Sequence, residues 1–133
     1  MIEYLLHIAI MSGLFIILTL SLNLIIGYCG QVSLGHAAFY GLGAYASALV
    51  SIHWHVPFLL ALLTATLVGA CFGLALGIPT LRVKDDYLAI VTLGFGVIID
   101  IVLLNLEFTG GPDGLARIPS PHIFGLNFRN KVW

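Results

Sequence analysis

The chain of 133 residues has almost no charge over its first 81 residues. Between Tyr4 and Leu81 there is no Asp, Glu, Lys or Arg in 78 consecutive residues, most of which are apolar. A water-soluble domain keeps charged groups on its surface and cannot bury so much apolar surface in so short a chain, whereas a lipid bilayer accepts it on every side. The sequence therefore predicts an integral membrane protein.

Other absences exclude whole classes of function. The five Lys and Arg residues form no basic patch, so we expect no nucleic-acid partner. The two cysteines lack the CxxC spacing of a metal or redox site, and we expect no metal and no cofactor. The chain has no GxxxxGK[ST] phosphate loop, no HExxH motif and no paired catalytic carboxylates. We therefore expect no enzyme, and we expect that the chain does not itself hydrolyse ATP by the phosphate-loop route.

Four apolar segments are long enough to span roughly 30 Å of hydrocarbon at about 1.5 Å per residue. They lie near residues 4–26, 32–52, 56–79 and 87–106. Segment 32–52 either spans fully or is a broken or re-entrant helix, because Gly27 and Gly30 interrupt the apolar course just before it. The predicted fold class is an all-α membrane protein, a polytopic helical bundle. Residues 107–133, rich in glycine and proline, are predicted to be a loop region.

The ends and faces of these segments carry two further signals. Small residues recur at four-residue spacing in the third segment and predict close helix packing there: Gly69, Gly73 and Gly77. The dense cluster of charge between the third and fourth segments predicts a cytoplasmic loop by the positive-inside rule: Arg82, Lys84, Asp85 and Asp86.

Among the polar side chains in or beside the apolar segments, five are candidates for lining a path through the membrane: Asn23, Gln31, Ser33, His36 and Asp100. Each needs a partner or water if it reaches the hydrocarbon, so they are expected to face the bundle interior rather than lipid. Our hypothesis is that they line or support a path for a polar solute. For His36 a satisfied packing role is the competing interpretation, and for Asp100 a structural one.

Two blocks of sequence resemble a known family. Residues 21–45 read SLNLIIGYCGQVSLGHAAFYGLGAY, and residues 87–96 read YLAIVTLGFG and are followed at 109–114 by TGGPDG. In content, order and spacing they are similar to the permease subunits of branched-chain amino acid ABC transporters. Members of that family are typically more than twice this length, so the resemblance implies that residues 1–133 form the N-terminal part of a single transmembrane permease domain.

The resemblance implies a multi-pass subunit of an ATP-driven importer in a bacterial or archaeal inner membrane. Its expected partners are a second homologous permease, two cytoplasmic ATP-binding subunits and a soluble substrate-binding protein that delivers the branched-chain amino acid. Related systems carry urea or short amides, which is one alternative. A passive channel or a structural membrane subunit is the other.

Overall fold

The computed structural model describes residues 1–116 and 118, together with the backbone of residues 122–123 and 126–127. Four α-helices account for most of the described chain: α1 (Ile2–Asn23), α2 (His36–Trp54), α3 (Phe58–Thr80) and α4 (Asp85–Asn105). Shorter elements are a π-helical turn (Leu24–Tyr28), two 3-10 turns (Glu107–Thr109 and Gly111–Asp113) and two strands, β1 (His122–Ile123) and β2 (Leu126–Asn127), paired antiparallel. Most of the predicted loop region beyond residue 118 lies outside the described residues.

Three of the helices in the described part of the chain are long and apolar enough to cross a membrane. They are α1 with its π-helical extension, Ile2–Tyr28, then Phe58–Thr80 and Asp85–Asn105. α2 is less apolar, because it contains His36 and His53 as well as small and polar residues. The predicted helical membrane bundle is confirmed, and α2 is the segment that the sequence marked as either spanning or interrupted.

Local chemistry explains where the helices begin and end. α2 stops at Trp54 because His55 adopts a left-handed conformation with φ of 46° and Pro57 follows shortly after. α4 begins two residues before the predicted segment, since Asp85 and Asp86 carry negative charge and are favourable at the positive end of a helix dipole.

α2 packs between α3 and α4. The short connection at residues 55–57 makes α2 and α3 antiparallel, and a Cβ placed on Gly43 would lie 3.9 Å from the Cβ of Ala65. The rings of Phe39 in α2 and Phe95 in α4 are 5.3 Å apart, and His53, near the end of α2, stacks at 5.1 Å on Phe108, three residues beyond the end of α4. From the first contact to the second, the residue numbers increase on both sides, so α2 and α4 run parallel.

The described chain buries few side chains. Ala48 and Ala61 are buried between α2 and α3, and Leu88 and Ile99 are buried on α4. α1 has no buried residue at all. Such a small core suits a helical bundle in lipid, where outward-facing apolar side chains need no protein cover and close approach of backbones holds the helices together.

Candidate functional site

The most irregular backbone within the apolar part of the chain joins α1 to α2. The α-helix widens into the π-helical turn Leu24–Tyr28, and Gly30 then has a φ of +66°, a conformation that favours glycine. Regular helix resumes only at His36. The resulting non-helical stretch, residues 30–35, is named the break below. The sequence predicted an interruption here from its glycines.

The break docks on α4 away from both ends of that helix. The N–H of Leu34 donates a hydrogen bond to Oγ1 of Thr92 at 3.1 Å. Gly35 is buried, and a Cβ there would overlap the main-chain carbonyl oxygen of Thr92. One turn later, a Cβ on Gly96 would lie 3.6 Å from the Cα of Gly35. Two backbones meet here, so a side chain at position 35 has no space.

This contact places the start of α2 deep within the bundle. At about 1.5 Å per residue α4 is about 31 Å long, and Thr92 lies about 10 Å from its beginning at Asp85. The first turn of α2 has no side-chain cap, and the N–H of Ala38 bonds to the oxygen of Gly35 at 3.0 Å. Free N–H groups at a helix start attract negative charge and polar ligands.

The five predicted path residues occupy different places. Asn23 is exposed at the end of α1, with its side chain against Gly27. Gln31 and Ser33 are half-buried in the break. His36 follows directly, and its Nδ1 atom is buried with no hydrogen-bond partner among the described residues. The structure thus brings Gln31, Ser33 and His36 into one segment and leaves Asn23 outside it; their part in a translocation path stays a prediction.

Asp100 lies elsewhere, in a groove between α2 and α4 that we name the α2–α4 groove. This groove has a volume of about 370 Å³. One wall consists of Leu34 of the break with Ala37, Ala38, Gly41 and Tyr45 of α2, and its α4 wall consists of Leu93, Gly96, Val97, Ile99, Asp100, Leu103 and Leu104. The groove therefore begins at the break and continues past Asp100.

A second and larger groove separates α2 from α3 and is named the α2–α3 groove. It has a volume of about 820 Å³ and is lined mainly by apolar and small residues, with Ser47, Ser51 and Thr66 among its hydroxyl groups. The hydroxyls of Ser47 and Thr66 already donate to carbonyl oxygens of their own helices. No Asp or Glu of the described residues lines it.

The predicted packing and loop residues are also placed. A Cβ on Gly69, Gly73 or Gly77 would meet nothing within 4 Å, so this face of α3 is open in the described chain and its packing role stays a prediction. Arg82 and Lys84 are exposed between α3 and α4, whereas Asp85 and Asp86 belong to the first turn of α4.

Sequence reasoning did not single out three residues that shape the site. Thr92 receives the break, Gly96 allows its close approach, and Tyr45 is a polar residue that lines the α2–α4 groove together with Asp100. The one signal available for the first two was a hydroxyl and a glycine at four-residue spacing in an otherwise apolar helix. That pattern is also common where helices merely pack.

Comparison with known proteins agrees with this architecture. Residues 4–132 match the family described as branched-chain amino acid transport system, permease component. The high-affinity branched-chain amino acid transport system permease protein LivM of Salmonella typhimurium is 50% identical over 126 residues, which cover 94% of this chain and 30% of that protein. LivM of Escherichia coli K12 is 48% identical over 122 residues, covering 91% of this chain and 29% of that protein.

The chain spans about 30% of the length of these relatives. No solved structure matches it. The family match, in contrast, extends over nearly every residue, including the break and the helix on which it docks. The chain therefore belongs to the family of permease components of branched-chain amino acid transport systems.

Proposed function

We propose that this chain forms part of the substrate path of an ATP-driven importer for branched-chain amino acids. The importer resides in the inner membrane of a bacterium or archaeon, and the chain crosses that membrane several times. Family membership supports the transport class. The names of the two LivM relatives support branched-chain amino acids as the substrate.

The observation that carries the proposal is the break docked on Thr92. A zwitterionic amino acid loses favourable hydration when it enters hydrocarbon, so its path must offer polar groups. Irregular backbone at membrane depth is tolerated where it is buried in protein or lines a cavity. The break has this position, because Leu34 is bonded to Thr92 about 10 Å along α4 and the α2–α4 groove opens beside it.

Interrupted helices serve transporters because their ends present unpaired backbone groups to the substrate. The start of α2 supplies such donors, and the buried Nδ1 of His36 stands next to them without a partner among the described residues. Gln31 and Ser33 of the break support this segment or contact the solute. Asn23 acts from the preceding turn.

The partners follow from the transport class. A second homologous permease completes the membrane part, two cytoplasmic ATP-binding subunits hydrolyse ATP, and a soluble binding protein delivers the amino acid. Arg82 and Lys84 lie on the cytoplasmic side and make a minor contact with the ATP-binding subunits. Inward and outward states differ in affinity for these partners, which is how ATP biases the equilibrium.

Uptake of radiolabelled leucine tests the proposal. A complete permease that contains this chain is expressed with its partner subunits in cells that lack their own branched-chain amino acid importers. We expect uptake that unlabelled isoleucine and valine suppress and that urea or acetamide does not. A variant of the ATP-binding subunits unable to hydrolyse ATP should reduce uptake to background.

Two outcomes would contradict the proposal. Solute flux that persists with the inactive ATP-binding subunits would indicate a passive channel. Suppression by urea or acetamide, with no effect of isoleucine, would indicate an amide carrier of the same family.

A further inference from the structure

We infer that Asp100 provides the negative charge that holds the ammonium group of an amino acid in the α2–α4 groove. The inference rests on the proposed function and assigns a chemical role to one of its residues. Asp100 and Tyr45 contribute the polar side chains to the groove's lining; the other lining residues are apolar or glycine.

Asp100 has no cation at hand in the described part of the chain. Arg82 and Lys84 precede α4, and Asp100 is fifteen residues beyond its first residue, so about 22 Å separate them along the helix axis. Asp100 is also exposed, with isoleucines on both sides of it. An ionised carboxylate in hydrocarbon is costly unless it faces a cavity or a partner, and such residues commonly mark substrate pathways. A positively charged group is therefore expected opposite Asp100.

The volume and the lining of the groove indicate which kind of positively charged molecule fits it. A volume of about 370 Å³ lies within the usual range of about 300–1,000 Å³ for small-molecule sites. Leu93, Leu103 and Leu104 give aliphatic walls around the single carboxylate. A branched aliphatic amine matches both features at once, since its ammonium meets Asp100 and its hydrocarbon part meets the leucines.

The α2–α3 groove lacks this combination. It is larger, at about 820 Å³, but its described lining contains hydroxyls and no carboxylate. The hydroxyls of Ser47 and Thr66 already donate hydrogen bonds to carbonyl oxygens of their own helices. An ammonium group would find no counter-charge there, so the smaller groove is the better site.

Binding to the complete permease in lipid nanodiscs tests this role. The probes are radiolabelled leucine, with 3-methylbutylamine, which has the ammonium but no carboxylate, and 4-methylpentanoate, which has the carboxylate but no ammonium, as competitors. The wild-type protein should bind leucine and the amine well and the acid poorly. Asp100→Asn should weaken leucine and the amine at least tenfold and leave the acid unchanged or improved.

Glu107→Gln is the matched control, because it removes one exposed carboxylate beyond the end of α4 and outside the groove. It should bind all three compounds like the wild type. Val97→Phe is a second variant that narrows the groove without changing charge. It should weaken leucine, the amine and the acid to a similar extent, and it remains informative if Asp100→Asn does not fold.

Unchanged leucine and amine binding by a folded Asp100→Asn protein would overturn the inference, as would unchanged binding by Val97→Phe. Loss of the partner permease from purified Asp100→Asn, with normal ligand binding, would show that a cationic residue of another helix is the true partner of Asp100. Each of these three outcomes is compatible with ATP-dependent leucine uptake by the wild type, so none of them refutes the proposed function. Absence of that uptake would instead refute the proposed function.

Discussion

The backbone of Gly35 lies directly against the carbonyl oxygen of Thr92, and the neighbouring Leu34 N–H is bonded to the hydroxyl of the same threonine. This pair fixes the level at which α2 starts. Because the contact is between backbones, neither partner can move aside as a flexible side chain would. The break, the start of α2 and the head of the α2–α4 groove all depend on it.

Gly35→Ala should destabilise the bundle. The added methyl group meets the Thr92 carbonyl oxygen, and overpacking of this kind costs about 1–3 kcal/mol. The measurement is the SDS mole fraction at the unfolding midpoint of the purified chain in mixed micelles. Gly69→Ala is the control, since a Cβ there meets nothing within 4 Å and should not lower the midpoint. Equal behaviour of the two variants would argue against a close contact at Gly35.

Thr92→Val should also lower the free energy of unfolding. Its Oγ1 accepts from Leu34 and donates to the oxygen of Ala89, and valine leaves the Leu34 N–H unpaired, at a cost of about 1–3 kcal/mol. Thr92→Ser keeps the hydroxyl and should retain most of the stability. Thr66→Val removes an exposed hydroxyl that bonds only within its own helix, and its effect should stay within about 0.5 kcal/mol. The same SDS titration distinguishes these variants.

The helices and the region of the break could be predicted from the sequence, but the docking point could not. Apolar length determines the spanning helices in lipid, and Gly27 and Gly30 indicate where the chain leaves the helix. Which residue of α4 receives the break depends on tertiary approach. Gly35 and Thr92 are 57 positions apart, and no local periodicity connects them. The sequence also does not reveal which of the polar residues line a groove. Asp100 lines the α2–α4 groove, whereas Asn23 lines neither groove.

The glycine stripe of α3 illustrates another part that sequence alone does not reveal. Spacing identifies Gly69, Gly73 and Gly77 as one face, but not what covers them. α2 contacts α3 at Ala65, one turn before Gly69, whereas a Cβ on Gly69, Gly73 or Gly77 would meet nothing within 4 Å in the described chain.

Cysteine labelling should place the two ends of α3 on opposite sides of the membrane. In a background with Cys29 and Cys71 replaced by alanine, Lys84→Cys should react with an impermeant maleimide only in inside-out vesicles. His55→Cys should react only in right-side-out cells, because Phe58–Thr80 is long enough to span. The positive charge of Arg82 and Lys84 predicts that this end of α3 faces the cytoplasm. Labelling of both positions from one side would contradict a spanning α3.

His36→Ala should reduce leucine uptake while leaving assembly intact. The buried Nδ1 atom has no hydrogen-bond partner among the described residues. A buried polar atom without a hydrogen bond lowers the stability of the protein, so we expect a ligand, a water molecule or another chain to bond to it. We expect a loss of tenfold or more in uptake at low leucine concentration, measured in the assembled transporter. Co-purification of the partner subunits checks assembly.

Two variants sharpen this test. His36→Asn retains a polar group close to the position of Nδ1 and should recover part of the uptake. His7→Ala removes an exposed imidazole from α1, far from the break in sequence, and should transport like the wild type. Wild-type uptake by an assembled His36→Ala transporter would leave His36 as a packing residue. The path would then depend on the backbone of the break and on Asp100.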